Sequence, residues 1–263
     1  MIKNTIIITA ENKENTINKT IQSCLNQTYK NLEIIIVYSK LRNEKILKKK
    51  IKSKKVIFFK IKKKIKNGIH DQLYKIQKCL NICNGKNIFL LDGDDIFNKK
   101  KVEILTKIIN FRKVMILDSF HVSINNKKFK KKHSNYNENY FYKKMINDWP
   151  KNICTSAITV EKDLLIKFFN EIDFKKYKYL AIDILLAIYL NKSGKLVKVD
   201  QFLTEKVEFD NSIDKNFIGY DNRFYWYRRL EQHYYNFSFG KRNFFSLDFL
   251  ISFIISLFLR KLI

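Results

Sequence analysis

Residues 87–97 read NIFLLDGDDIF. An apolar run, Ile88 to Leu91, ends abruptly in three carboxylates within four positions, Asp92, Asp94 and Asp95. The run is short, continuous and bounded by a Gly-containing turn, the pattern of a strand buried on both faces. Like charges crowded together raise their own electrostatic energy. Either a cation sits among them, or the turn is well solvated and Asp95 caps the next helix.

Working outward from this stretch, strand and helix signals alternate through the first 120 residues. NTIIITA (4–10), LEIIIVYS (32–39) and KKVIFFK (54–60) read as strands. Between them lies a helix with apolar positions Ile17, Ile21, Cys24 and Leu25, then a basic helix in NEKILKKKIK (43–52). DQLYKIQKCLNICNG (71–85) is a further helix, expected to start at Asp71 and stop at Gly85. Alternation of this kind predicts an α/β fold with a mostly parallel sheet flanked by helices. In open sheets of that type, ligands bind beyond the carboxyl ends of the strands, where Asp92 to Asp95 would lie.

KKKVEILTKIINF and KVMILDSF repeat the alternation, and HVSINNKKFK has the Asn-Asn punctuation of a hairpin. After a polar, aromatic stretch, EKDLLIKFFNEI (161–172) and YKYLAIDILLAIYLNKSG (177–194) read as helices. From Asp210 the chain turns aromatic and basic. The boundaries expected are therefore 1–209 for the main domain and 210–263 for an extension with an apolar helical tail. The tail's apolar run, 244–259, is broken by Asp248 and serines and falls short of the roughly 20 residues of a membrane span. It suits an interfacial helix on an anionic membrane surface, or a helix packed on protein.

The chain has 263 residues, 52 Lys+Arg against 25 Asp+Glu and a formal net charge of +27. Such a balance ordinarily suggests nucleic acid or an anionic membrane. Lysine predominates, however, and the runs at 48–50, 62–64 and 130–132 suit solvated faces. Only RFYWYRR (223–229) interleaves Arg with aromatics as a nucleic-acid reader would, so nucleic acid is not the expected partner. The four cysteines, Cys24, Cys79, Cys83 and Cys154, have no framework or zinc spacing, which is consistent with buried thiols in a cytoplasmic protein. TAENKEN (9–15) has no glycine, which argues against a dinucleotide-binding turn.

Two Asp separated by one residue at a strand end offer hard oxygen ligands to a divalent cation, and through it to a diphosphate. TIIITAENKENTINKTIQSCLNQTYKNLEIIIV (5–37), NGKNIFLLDGDD (84–95) and AIDILLAIYLNKSGKL (181–196) together resemble glycosyltransferase family 2, with its GT-A fold, over roughly residues 4–208. The resemblance implies an inverting, metal-dependent glycosyltransferase. It would move a sugar from a UDP- or other nucleotide-sugar donor to a glycan or lipid-linked acceptor, in bacterial cell-surface polysaccharide synthesis, and could lie peripherally on the inner face of the cytoplasmic membrane.

By that resemblance Asp94 and Asp92 hold Mn²⁺ or Mg²⁺, and Asp92 also contacts the donor. Thr9, Glu11, Glu14 and Ser39 line the nucleotide side, and Asp183 is the general base. Trp149, Thr155 and Ser156, from WPKNICTS (149–156), belong to the acceptor half. The sequence departs from the family where Tyr38 and Ser39 replace strand-two carboxylates, where Lys75, Ile76 and Gln77 replace Ala-Arg-Asn, and where Ile182 replaces a Glu. Lys206 and Glu208 stand for an expected Arg and His. These departures motivate two rivals: a degenerate member that binds without turnover, and a basic nucleic-acid or membrane-surface binder.

Overall fold

A computed structural model describes residues 2–42, 44–62, 65–109, 113–125, 127–132, 150–209, 213–238 and 246–261. Three short parallel strands open the sheet: β1 (Asn4–Ala10), β2 (Leu32–Tyr38) and β3 (Val56–Lys60). Helices α1 (Ile17–Leu25) and α2 (Glu44–Lys50) connect them. Helix α3 (Gly68–Cys79) leads to β4 (Asn87–Asp92), which pairs with β1 on the side away from β2. There follow β5 (Ile96–Phe97), α4 (Lys101–Ile109) and the hairpin of β6 (Met115–Ile124) with β7 (Lys127–Lys131). The second half contributes β8 (Ile158–Glu161), α5 (Lys162–Glu171), α6 (Ile182–Lys192) and β9 (Leu196–Val207). Helices α7 (Arg223–Ser238) and α8 (Leu247–Lys261) end the chain.

The nine-stranded sheet runs β3-β2-β1-β4-β8-β6-β9-β5, with β7 paired to β6. The expected parallel arrangement holds across β3, β2, β1 and β4. Beyond β4 it becomes mixed, because β8 enters antiparallel to both β4 and β6. Side-chain alternation along β1 divides the core. Ile7 packs on one face with α3, α5 and α6, while Ile6, Ile8 and Ala10 pack on the other with α1 and α4. β2 is buried along its whole length, as its apolar run Ile34 to Val37 requires, and the buried Glu33 carboxylate is met by Lys3, Thr5 and Asn84. All four cysteines are free and buried.

Two expected helix boundaries move. Asn67, not Asp71, caps α3, accepting from the backbone N–H groups of Ile69 and His70. Asp71 instead accepts from Ile65 N and pairs with Lys75 at 2.6 Å. Nor does α3 run to Gly85. It gives way to a 3₁₀ turn at Leu80–Ile82, and Gly85 serves a close backbone approach: a Cβ there would lie 2.3 Å from Thr5 N. Helix α6 begins at Ile182 rather than Tyr177, and the stretch before it is tied to α7, where the Glu231 carboxylate accepts from Lys178 N and Tyr179 N. Its end at Gly194, with φ of +67°, is as expected. Among the described residues, no helix is long and apolar enough to cross a membrane.

Candidate active site

The sheet order reverses at β1. The chain steps from β1 outward through β2 and β3, then returns to place β4 on β1's other side. Loops leaving the carboxyl ends of β1 and β4 therefore diverge and leave a crevice, the usual binding position in such sheets. Thr9 and Asp92 are register partners at that edge. The crevice opens into a cleft of about 480 Å³, a size that suits a small ligand.

Asp92, Asp94 and Asp95 form a tight turn at the cleft floor, with Asp95 N donating to Asp92 O and Gly93 N to Thr9 O. Asp92 Oδ1 accepts from Thr9 Oγ1 at 3.0 Å and from Gln72 Nε2 at 2.6 Å. Asp94 pairs with Lys13 from the loop after β1. Asp95 is 2% exposed; it accepts from Ser156 Oγ at 2.5 Å and from Val207 N at 2.9 Å. The solvated-turn reading thus gives way, and Asp95 is a buried brace rather than a helix cap. Burial, and then the charge of Asp94, pushes Asp92 up to about 7. Burial, with the neighbouring Asp92 and Asp94, holds Asp95 well above the usual carboxylate range.

The residues expected on the nucleotide side divide. Thr9 and Glu11 line the cleft. Glu11 Oε2 accepts from Ser39 N, Lys40 N and Lys75 Nζ, tying the end of β1 to the turn after β2. Glu14 Oε1 accepts from Arg42 N in that same turn, which lowers its pKa. Ser39 enters the arrangement through its backbone N–H to Glu11. Thr155 lines the cleft, whereas Ser156 is fully buried beneath it. There Ser156 Oγ accepts from Asp92 N and donates to Asp95. Trp149 lies outside the described residues.

Asp183 lines the cleft from the first turn of α6. An acid is favourable at a helix N-terminus, and the part-exposed position removes the burial cost that its apolar neighbours would impose. Its charge is felt at Asp92, so the turn and the helix terminus address one cleft. Lys206 lines it too, paired with Glu208 at 3.3 Å.

Several cleft residues were not singled out as site residues in the sequence. Lys13, Gln72, Phe217 and Arg228 all line the cleft, with the Arg228 guanidinium 4.5 Å from the Phe217 ring centre. The aromatic-basic RFYWYRR segment is thus α7, and it contributes Arg228 to this cleft. Lys75, noted only as a departure, is 1% exposed between Glu11 and Asp71. The i,i+4 spacing of Asp71 and Lys75 was the one available signal for that pair.

Among the described residues, no group of three or more His, Cys, Asp or Glu side chains is arranged to hold a metal ion. Two carboxylates on one turn, Asp92 and Asp94, still fit a hard divalent cation that takes its remaining ligands from a diphosphate and water. The raised Asp92 fits as well, since positive charge beside it relieves the repulsion from Asp94.

Residues 5–169, more than half of the chain, match the family described as Glycosyl transferase family 2. An uncharacterized glycosyltransferase of Methanocaldococcus jannaschii is 30% identical over 165 residues, covering 58% of this chain and 55% of that protein. The Escherichia coli UDP-Glc:alpha-D-GlcNAc-diphosphoundecaprenol beta-1,3-glucosyltransferase WfaP is 36% identical over 99 residues, 37% of either chain. The chain thus spans about half, or less, of the curated relatives it matches. Staphylococcus aureus TarS, residues 1–349 solved with UDP-GlcNAc, superposes with a TM-score of 0.61 at 14% identity, covering 93% of this chain and 74% of that one. That likeness shows a shared GT-A fold. With its match across more than half its length, this chain belongs to glycosyltransferase family 2.

Proposed function

We propose that this chain is an inverting, divalent-metal-dependent glycosyltransferase that takes a nucleotide-sugar donor and a glycan or lipid-linked acceptor. The observation that carries the reading is the placement of Asp183, at the N-terminus of α6, in the same cleft as the Asp92–Asp94 turn. In this reading the donor diphosphate lies over the turn. Thr9 and Gln72 hold Asp92 in place by their hydrogen bonds to Oδ1. A divalent cation held by Asp92 and Asp94 would supply Lewis-acid charge to the departing diphosphate. Asp183 removes the acceptor hydroxyl proton as the oxygen bonds to the anomeric carbon and the bond from that carbon to the diphosphate breaks. The configuration inverts, and Asp183 is left protonated until solvent restores it. Support for the donor and acceptor classes comes from the substrates in WfaP's name and from the ligand solved with TarS.

Thermal shift against UDP-, GDP-, CDP- and dTDP-sugars, with Mn²⁺ and with EDTA, names the donor class. Asp183→Asn should keep that shift and lose turnover by about 10²–10⁴-fold, the usual contribution of a general base. Equal turnover in Asp183→Asn would remove it from the mechanism. No shift with any nucleotide sugar would sink the donor assignment.

A further inference from the structure

Helix α8 is built inside out. Asp248, Ser252 and Ser256, four residues apart and so on one face, are all buried. Asp248 Oδ2 accepts from Arg229 Nη2 of α7 at 3.0 Å, and Ser252 Oγ donates to Asp248 O. Phe249 packs among His233, Tyr234 and Phe237 of α7. The other face carries Leu247, Leu250, Ile251, Ile254, Leu257 and Phe258, exposed by 40% to 67%. A helix on a globular protein turns its apolar stripe inward. An outward stripe of this size marks a surface made for another apolar phase.

We propose that α8 is a lipid-contact helix that lies flat on an anionic membrane surface. Its 15 residues rise about 22 Å, too little to cross a hydrocarbon core of about 30 Å. Charge decides between lipid and a second copy. The helix's one acid is turned inward and paired with Arg229. In the sequence Arg260 and Lys261 end the helix, and the whole chain carries +27. Two copies meeting through this face would bring like charge against like charge, whereas an anionic surface neutralises it. Tyr234, 44% exposed on α7, adds an amphipathic ring of the kind that favours the membrane–water boundary. Because α7 also supplies Arg228 to the cleft, the lipid surface and the cleft are connected through one helix. This inference does not depend on the transfer chemistry proposed above.

The test is co-sedimentation of the full chain with phosphatidylcholine vesicles, with and without phosphatidylglycerol, at low and high salt. The chain should bind the phosphatidylglycerol vesicles and weaken with salt. Ile251→Gln/Ile254→Gln/Phe258→Gln, all at exposed positions, should keep its melting temperature and lose more than about a hundredfold in partitioning. Phe258→Ser alone, the mildest change, should lose about tenfold. A chain that stays in the supernatant with phosphatidylglycerol vesicles would overturn the proposal, as would either variant binding like the parent. So would a parent dimer in light scattering that the triple variant converts to monomer, because a second copy would then cover the face.

Discussion

Lys101→Met tests how the floor of the cleft is held. Lys101 is fully buried, and its Nζ donates to Asp118 Oδ1, Ser156 O and Thr204 Oγ1, each at 2.7 Å, while sitting 4.2 Å from the Phe97 ring centre. Burial pulls the ammonium below the usual lysine range, and Asp118 opposes that pull. Methionine keeps much of the length and loses every donor, taking the Lys101 ammonium away from the buried Asp118 carboxylate. Breaking a buried pair from one side costs about 3–5 kcal/mol, whereas replacing both partners by apolar groups is often near neutral. Urea unfolding should therefore show Lys101→Met and Asp118→Leu each down by about 3–5 kcal/mol, with the double variant more stable than either. Since Ser156 O is one of the three acceptors and Ser156 Oγ fastens Asp92 N to Asp95, Lys101→Met should also weaken donor binding by thermal shift. A loss under about 1 kcal/mol in Lys101→Met, or losses that simply add in the double variant, would refute this account.

Three further outcomes are expected. Lys13→Met removes the ammonium from Asp94, a pair that is 36% and 12% exposed and so is taken at only about 1 kcal/mol; Mn²⁺ affinity by calorimetry should rise about fivefold to tenfold, and a fall would show that Lys13 assists the cation instead of competing with it. Burial pushes Glu231 up to about 7 from its ordinary 4.5, so its contribution to stability is full below pH 4.5 and is lost as pH rises through 7. Glu231→Gln should flatten that decline in unfolding free energy, read by urea unfolding across about pH 4–8, by about 2 kcal/mol after discounting for partial exposure; identical pH profiles would count against it. Gly85→Ala places a Cβ 2.3 Å from Thr5 N and 2.4 Å from Thr5 Oγ1, and should cost about 3 kcal/mol in urea unfolding, with no change if the backbone there can move aside.

The strands were legible because burial on both faces leaves continuous apolar runs, as in Ile34 to Val37 and Ile88 to Leu91. The carboxylate turn was legible for the converse reason, as charge set directly against such a run. What could not be read is pairing across long sequence separations. Nothing local distinguishes Lys13 from the chain's other lysines, yet it meets Asp94, 81 residues on. Lys101 sits in a row of lysines, KKK at 99–101, and only packing picks the one that turns inward to Asp118. The start of α6 was misplaced because Tyr177 to Leu180 look helical by apolarity. The contact that shapes this stretch is distant in sequence: the Glu231 carboxylate, more than 50 residues later, accepts from Lys178 N and Tyr179 N.

The cleft is assembled from two parts of the chain, one inside the family match and one beyond it. The family match ends at residue 169. It contains Thr9, Glu11, Lys13, Gln72 and the whole Asp92–Asp95 turn, which the β1/β4 reversal brings together, with Val207 N of β9 bracing Asp95 from beyond the match. Asp183, Lys206, Phe217 and Arg228 line the same cleft from beyond that limit. On the proposed reading this first part cradles a diphosphate, which presents the same charge and geometry whichever sugar it carries. The acceptor hydroxyl has no such constancy, and the groups that orient it must differ from member to member. Exchange of residues 181–228 between this chain and a family relative should therefore move acceptor choice with the segment while nucleotide preference stays with residues 5–169. Nucleotide preference that travels with the exchanged segment would show that Arg228 and Phe217 read the donor instead.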